Sequence, residues 1–198
     1  MKVVLASKSP RRKEILENLG MKFDIVVADA DESCDISDPR ERVSALAAVK
    51  GRAVKELIGA RGESADTLII ACDTLVYAEG EFLGKPKDKD DARRMMGLLS
   101  GKAHSVVSGL YLSLGDKEFM GAEETKVIFD EMTEQEIESY ISSDEPYDKA
   151  GGYAVQGLAS LYVKGLEGDY FNVVGLPVNL LYNTLKKEFC IDFALLKG

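Results

Sequence analysis

The sequence contains few of the residues on which metal clusters and nucleophilic triads depend. It has one histidine, three cysteines and no tryptophan among 198 residues. The cysteines are scattered and lack metal-ligand spacing, so we interpret Cys34, Cys72 and Cys190 as reduced thiols of a cytosolic protein. His104 begins a predicted strand and is interpreted as a structural residue. We therefore expect neither a zinc cluster nor a Ser-His-Asp triad.

Long apolar runs and an excess of positive charge are also missing. No stretch approaches the roughly 18 consecutive apolar residues that a membrane-spanning helix needs, and residues 1–6 are too short for a signal peptide. The net charge of −9 would repel a polyanion such as nucleic acid. These features predict a cytoplasmic protein without a membrane or nucleic-acid partner, in which a local basic pocket can still bind a small anion.

Strand and helix patterns alternate early in the chain, and an antiparallel pattern follows in the middle. Strands are predicted at residues 2–6, 23–28, 67–72, 75–83 as a hairpin, 105–114 and 118–130, with another inside 151–164. Helices are predicted at residues 10–20, 39–58 and 88–100, from residue 133 onwards, and at 177–188. The pattern predicts an α/β fold with a mixed central sheet and helices on its faces. Without a linker or repeat, we expect one domain over residues 1–198.

The turn between the first strand and helix is unusually basic. Its sequence is Ser7-Lys8-Ser9-Pro10-Arg11-Arg12. A helix N-terminus attracts anions through its N–H groups and dipole, whereas cations in the first turn oppose that dipole. The alternative is a solvated basic helical turn. We favour an anion site, in which Ser7 donates a hydroxyl and Arg11 and Arg12 bind phosphate oxygens.

A single carboxylate follows the most apolar predicted strand. Asp73 comes directly after residues 67–72, and a carboxylate at the end of a buried strand is costly unless it is paired or metal-bound. Ligands in open α/β sheets bind beyond the carboxyl ends of the strands. Asp73 is therefore a candidate metal ligand or general base, with an ordinary turn-forming aspartate as the alternative.

Four further residues are candidates with weaker individual signals. Lys85, between Gly84 and Pro86, suits a phosphate contact or an ordinary surface turn. Lys50 suits a phosphate contact or a helix lysine that extends its amine to solvent. Gln156 follows a glycine pair and can both donate and accept, as recognition of a base edge requires. Glu32 belongs to an acidic loop that can reach a metal or remain solvated.

Taken together and in order, these segments resemble the Maf family of nucleoside triphosphate pyrophosphatases. The matching segments are Leu5-Ala6-Ser7-x-Ser9-Pro10-Arg11-Arg12, Glu32, Lys50, Cys72-Asp73-Thr74, Gly84-Lys85-Pro86, Leu99-Ser100-Gly101, Glu145-Pro146-x-Asp148-Lys149-Ala150-Gly, Gln156-Gly157 and Val174-Gly175-Leu176-Pro177. The resemblance implies an elongated, two-lobed α/β fold with a substrate cleft, similar to that of the inosine triphosphate pyrophosphatases. It also implies a homodimer and a divalent cation such as Mg²⁺, with Mn²⁺ or Co²⁺ as alternatives.

The resemblance further implies roles for individual residues. Asp73 matches the proton acceptor, and Asp73 with Glu32 matches the metal ligands. The positions that match phosphate-binding residues are Ser7, Arg11, Arg12, Lys50 and Lys85. The positions that match base-selecting residues are Arg11, Thr74 and Gln156. These three resemble the branch of the family that acts on dTTP and UTP, because the 7-methyl-GTP branch tends to have Trp, Gln and a nearby Glu there.

Three other functions stay open at this point. A nucleotide-binding regulator of cell division would use the same pocket without turnover. A phosphatase would release orthophosphate one group at a time, and a 7-methyl-GTP pyrophosphatase would differ only in its base. An intact Asp73 favours turnover, since a sensor does not need a carboxylate that activates water. The sequence therefore predicts a dTTP and UTP pyrophosphatase that releases the nucleoside monophosphate and pyrophosphate.

Overall fold

A seven-stranded sheet with six α-helices organises the part of the chain that the structure describes. The computed structural model describes residues 1–60, 62 and 66–197. The strands are β1 (Lys2–Leu5), β2 (Asp24–Ile25), β3 (Thr67–Ala78), β4 (Glu81–Leu83), β5 (Ala103–Leu114), β6 (Lys117–Phe129) and β7 (Val163–Glu167). The α-helices are α1 (Pro10–Asn18), α2 (Pro39–Gly59), α3 (Lys89–Leu99), α4 (Glu134–Ile141), α5 (Tyr170–Val174) and α6 (Val178–Lys187).

The sheet is mixed, as the sequence predicts. Its order is β2-β1-β3-β5-β6-β7, with β4 paired to β3. Strand β1 is parallel to both β2 and β3, while β4 and β7 are antiparallel to β3 and β6. The buried residues of β1, Val3–Leu5, and the residues of β3 that pair with them, Leu68–Ile70, are all apolar, as is typical of strands buried on both faces. Among the described residues, no helix is long and apolar enough to span a membrane.

Contacts divide the chain into two compact units, each with its own core. Unit 1 comprises residues 1–73, 108–123 and 175–198, and unit 2 comprises residues 74–107 and 124–174. In unit 1, apolar residues of α2 pack on β1 and β3 around the fully buried Tyr111. In unit 2, α3 and α4 pack with β4 and parts of β3, β5 and β6. The expected single domain and substrate cleft stay predictions.

Strand β3 differs from its expected form. The sequence predicts a strand end at Asp73, but the strand continues to Ala78, so Asp73 lies inside β3 and that prediction is wrong. The reason is a change of pairing partner along the strand. Strand β1 pairs as far as Ile70, and β4 pairs from Val76 onwards. The strand pairing on both sides of Asp73 and Thr74 therefore keeps the backbone extended through these two polar residues.

Candidate active site

Two carboxylates in unit 1 converge on one ammonium group. The Nζ atom of Lys50 lies 2.5 Å from Oδ1 of Asp73 and 2.8 Å from Oε2 of Glu32. The Lys50 and Asp73 side chains are largely buried, at 23% and 15% exposure, whereas Glu32 is 55% exposed. Burial alone would lower the pKa of Lys50, but the two carboxylates outweigh this effect and raise it above its ordinary value. Lys50 is therefore held as a cation.

Helix α2 and strand β3 fix the geometry of this cluster. Lys50 is in the middle of α2, and the next residue, Gly51, packs so closely on Tyr111 that a Cβ atom would lie 2.1 Å from the ring. This close approach brings α2 near the sheet. Because β1 is parallel to β3 and its pairing ends opposite Ile70, Asp73 lies beyond the carboxyl end of β1. The position satisfies the rule for ligand sites in α/β sheets even though β3 itself continues.

The chemistry of these donors fits a hard divalent cation. Mg²⁺ prefers oxygen ligands and is commonly bound by one or two carboxylates together with substrate phosphates. Asp73 and Glu32 supply two carboxylates that already surround a positive charge, the ammonium group of Lys50. Within residues 1–60, 62 and 66–197, no group of three or more histidine, cysteine or acidic side chains could hold a metal ion.

The basic turn before α1 forms a second polar group in unit 1. The Ser7 hydroxyl oxygen accepts hydrogen bonds from Nη1 of Arg12 at 3.1 Å and from the backbone N–H of Ser9 at 3.2 Å. Nε of Arg12 donates to the carbonyl oxygen of Gly175 at 2.7 Å. Ser9 occupies the N-cap position, but its side chain does not cap the helix, and the first turn of α1 contains no acidic residue. These hydrogen bonds hold Arg12 in one orientation.

Gly175 has a positional role that the sequence does not reveal. Its carbonyl oxygen accepts from Arg12 and also from Sγ of the buried Cys72, at 3.2 Å. Its backbone φ is +125°, a value that L side chains rarely adopt. The segment Val174–Pro177 contributes to the family resemblance, but only the structure connects it with the basic turn. The glycine itself was the available signal, since a glycine near the start of a helix often marks an unusual backbone conformation.

The remaining candidates belong to unit 2. Thr74 is half-buried in β3, while Lys85 and Gln156 are exposed. The Gly151 N–H donates to the carbonyl oxygen of Gly84 at 3.0 Å, which joins the glycine pair to the segment that carries Lys85. Gly151 and Gly152 both have a φ of +71°, so this loop requires glycine.

The structure thus groups the predicted residues by unit. Unit 1 contains Ser7, Arg11, Arg12, Glu32, Lys50 and Asp73, and unit 2 contains Thr74, Lys85 and Gln156. Within unit 1, Lys50 forms ion pairs with both Asp73 and Glu32, and Ser7 accepts a hydrogen bond from Arg12. Arg11 is half-buried beside Arg12 in the first turn of α1. In unit 2, the sequence indicates no role for Glu145, although its carboxylate accepts hydrogen bonds from the N–H groups of Leu158 and Ala159, just after Gln156. The sequence likewise indicates none for Tyr140, whose hydroxyl contacts Glu145.

The fold and these side chains define an α/β protein with a carboxylate pair and a basic helix start, a combination suited to a phosphorylated substrate and a divalent cation. The chain matches the family described as "Maf-like protein" over residues 2–188, and it belongs to that family. The predicted family is confirmed. Pyrophosphatases of this family depend on a metal ion.

Individual relatives agree with this assignment. A Bacillus anthracis protein named dTTP/UTP pyrophosphatase is 44% identical over 192 residues, which cover 96% of this chain and 97% of the relative. A Bacillus cereus protein of the same name is 43% identical with the same coverage. The structure is also similar to the Staphylococcus aureus Ham1 protein, with a TM-score of 0.55 and 13% identity, over 95% of this chain and 100% of that chain. This similarity concerns the fold, and the predicted α/β class is confirmed.

Proposed function

We propose that this protein hydrolyses dTTP and UTP to the nucleoside monophosphate and pyrophosphate. The observation that carries the proposal is the convergence of Asp73 and Glu32 on Lys50, a charged cluster beyond the end of a parallel strand. Relatives that are 43–44% identical over nearly the whole chain are named for this reaction. In the proposed step, a water oxygen attacks the α-phosphorus and the bond to the β-phosphate oxygen breaks. The electron pair leaves with pyrophosphate, and Asp73 takes the proton from water.

Five basic or hydroxyl side chains are proposed to bind the phosphates: Ser7, Arg11, Arg12, Lys50 and Lys85. A nucleoside triphosphate carries about four negative charges near neutral pH, so charge-assisted hydrogen bonds from several cations are needed to bind it. Arg12 is already oriented by Ser7 and Gly175, which lowers the entropy lost when it binds an oxygen. The net charge of the protein is −9, so its overall field does not attract a triphosphate. The proposal is supported by the local placement of these cations.

The proposed metal ligands are Glu32 and Asp73, and the proposed ion is Mg²⁺, with Mn²⁺ or Co²⁺ as alternatives. When bound, the ion would offset the negative charge of the phosphate oxygens. Lys50 lies between the two carboxylates and would remain near the phosphates as a second positive charge. We also propose a cytoplasmic homodimer, because cytoplasmic nucleotide pools supply the substrate and the family resemblance implies a dimer.

Base selection is proposed to rest on Arg11, Thr74 and Gln156. Uracil and thymine present an acceptor–donor–acceptor edge, and the Gln156 amide can pair with two adjacent groups of it. Cytosine has an amino donor where uracil has O4, so one donor would face another. Such a mismatch typically costs on the order of 1–3 kcal/mol, or roughly ten- to more than a hundred-fold in specificity. The methyl group of thymine adds no polar group, so dTTP and UTP should differ little.

Product analysis over a nucleotide panel with Mg²⁺ tests the proposal. We expect pyrophosphate and a monophosphate from dTTP and UTP, and much lower kcat/KM for CTP, GTP and 7-methyl-GTP. Release of orthophosphate one group at a time would identify a phosphatase, and binding without any product would identify a nucleotide-binding regulator. A preference for 7-methyl-GTP would leave the pyrophosphatase reaction intact but overturn the assignment of the base-selecting residues.

A further inference from the structure

The carboxylate of Glu145 accepts three hydrogen bonds within unit 2. Its Oε2 atom accepts from the backbone N–H of Leu158 at 2.7 Å. Its Oε1 atom accepts from the backbone N–H of Ala159 at 3.2 Å and lies 3.0 Å from the hydroxyl of Tyr140. Hydrogen bonds to a charged group are stronger than those between neutral groups. Glu145 therefore anchors Leu158 and Ala159, which follow Gln156 closely in the chain.

The carboxylate of Glu145 leaves no room for a side chain at Gly157, the residue after Gln156. A Cβ atom at Gly157 would lie 2.2 Å from Oε2 of Glu145, so the carboxylate occupies the space of a side chain there. The Gly157 N–H closes a turn on the carbonyl oxygen of Ala154 at 3.0 Å, with Gln156 inside the turn. On either side of the turn, Tyr153 and Ala159 are buried. The backbone of Gln156 is thus fixed from both ends, while its amide is exposed.

Tyr140 extends the anchor to the glycine pair. Its hydroxyl lies 3.1 Å from the carbonyl oxygen of Gly152 and 3.0 Å from Oε1 of Glu145, so its single proton is shared between acceptor oxygens of the two segments. Burial first, and then the charge of Glu145, raise the pKa of Tyr140 above its ordinary value, which keeps the hydroxyl protonated as a donor. The Gly151 N–H in turn binds the carbonyl oxygen of Gly84. Glu145 and Tyr140 therefore connect the backbone segments that carry Gln156 and Lys85.

We propose that Glu145, supported by Tyr140, is a positioning residue that holds the Gln156 turn in the orientation required for base selection. The inference rests on the proposed function, since it assigns a selectivity role to the segment around Gln156. Glu145 does not need to touch the substrate for this role. Its contribution is pre-organisation: a recognition group that is already held in place loses less entropy on binding and adapts less readily to the wrong base.

Glu145→Gln tests the proposal with little change in volume. The amide has one donor group, which must face an N–H of Leu158 or Ala159, so at least one anchor bond is lost. We expect KM for dTTP to rise, and the ratio of kcat/KM for dTTP to that for CTP to fall by about ten-fold, as expected for a mispaired hydrogen bond. Glu145→Asp, which keeps the charge, should restore part of the ratio, and Tyr140→Phe should give an intermediate loss.

Glu136→Gln is the matched control. The Glu136 carboxylate also accepts from a backbone N–H and a hydroxyl, both of Thr133, but it caps α4 and does not contact the Gln156 turn. We expect this control to lower the melting temperature without a change in the dTTP to CTP ratio. If Glu145→Gln also lowers only the melting temperature, its role is structural and the proposal is overturned.

Hydrogen exchange distinguishes a failure of this proposal from a failure of the proposed function. In Glu145→Gln, peptides covering residues 154–161 should exchange faster than in the wild type, while peptides of unit 1 should not change. If exchange over 154–161 is unaltered, the positioning role is wrong whatever the substrate. If exchange rises but the wild-type protein itself shows no preference for dTTP, the proposed base selection fails and the positioning of the turn remains.

Discussion

Lys50 occupies an unusual place for a lysine, because its amine is directed at two carboxylates rather than at solvent. The contacts to Asp73 and Glu32 are 2.5 and 2.8 Å, and most of the Lys50 side chain is buried. The sequence left a phosphate contact and a solvent-directed helix lysine open for Lys50, and the family resemblance implied phosphate binding. The partner Asp73 is 23 positions away, and no local pattern indicates such a pairing. An isolated buried charge would be costly, so the largely buried Lys50 and Asp73 depend on one another.

The first residue-scale prediction concerns Asp73, the proposed general base. We expect Asp73→Asn to lower kcat on dTTP by about 10²-fold or more, because an amide can neither take a proton nor carry the charge that a metal ligand needs. Asp130→Asn, at an exposed aspartate in unit 2, is a control for loss of a carboxylate alone. Circular dichroism checks the fold and steady-state kinetics checks the rate. Near-normal turnover in Asp73→Asn would remove the catalytic assignment.

The second residue-scale prediction uses two neighbouring lysines. Lys85 and Lys87 are both exposed and flank the buried Pro86, but only Lys85 is proposed to bind phosphate. We expect Lys85→Ala to raise KM for dTTP, with a loss equivalent to about 1.5–3 kcal/mol for one charged hydrogen bond. Lys87→Ala should leave KM nearly unchanged, and both should melt at the wild-type temperature. Equal effects of the two substitutions would indicate general electrostatic attraction rather than a specific contact.

At the scale of elements, the structure agrees best with the sequence where the signal is local. The capping box of Thr133 and Glu136 is present and begins α4. The aspartates before α2 and α3 accept hydrogen bonds from backbone N–H groups three residues later, and both helices lie within a residue or so of their predicted bounds. Such contacts involve residues three or four positions apart, so the sequence contains all the information that sets them.

Elements that depend on distant partners could not be predicted in the same way. The continuation of β3 past Asp73 depends on pairing with β4, and β2 is two residues long rather than six. Helix α5 was missed because it has five residues, too few for an apolar period, and is fixed by Asn172, whose amide donates to Val106 and Thr125. For the site, the sequence indicated the residue types, but the contacts of Lys50, Gly175 and Glu145 join residues far apart in the chain.

Two helix glycines give the element-scale prediction. Gly51 and Gly97 both lie inside helices, where alanine is intrinsically preferred by about 1 kcal/mol. A Cβ atom at Gly97 meets nothing within 4 Å, so Gly97→Ala should stabilise the protein by about 0.5–1 kcal/mol. At Gly51 the Cβ atom would lie 2.1 Å from the ring of the fully buried Tyr111, so Gly51→Ala should destabilise it by about 1–3 kcal/mol.

Urea unfolding of both glycine variants checks this contrast. Opposite signs are expected from the same chemical change in the same kind of element. A stabilised Gly51→Ala would mean that α2 does not approach Tyr111 as closely as the structure shows. Activity adds a second readout, since a displaced α2 would also displace Lys50, the residue before Gly51 in the helix.

At the scale of the whole molecule, the numbers of acidic residues and histidines determine in which pH range the stability changes. The chain has 34 acidic residues and one histidine, and histidine is the side chain whose ordinary pKa lies between pH 5 and 8. His104 is 4% exposed in unit 2 and packs edge-on against Phe129 and Tyr153. Its Nε2 atom lies 2.6 Å from the Tyr153 hydroxyl, whereas its Nδ1 atom is buried without a partner among the described residues. The interpretation of His104 as a structural residue agrees with these contacts.

Burial lowers the pKa of His104 from 6.5 to about 4, which sets the sign of the last prediction. As the pH falls below 6.5, the unfolded chain binds a proton that the folded chain does not bind until about pH 4, so the free energy of unfolding falls across this window. At pH 5 the expected loss relative to pH 7.5 is about 2 kcal/mol. Urea unfolding at the two pH values measures it, and His104→Gln should show a much smaller difference. Because this histidine is the only one, its ring protons can be followed by NMR without ambiguity. A midpoint near 6.5 in the folded protein would contradict the prediction, since the ring would then gain its charge as easily as in water.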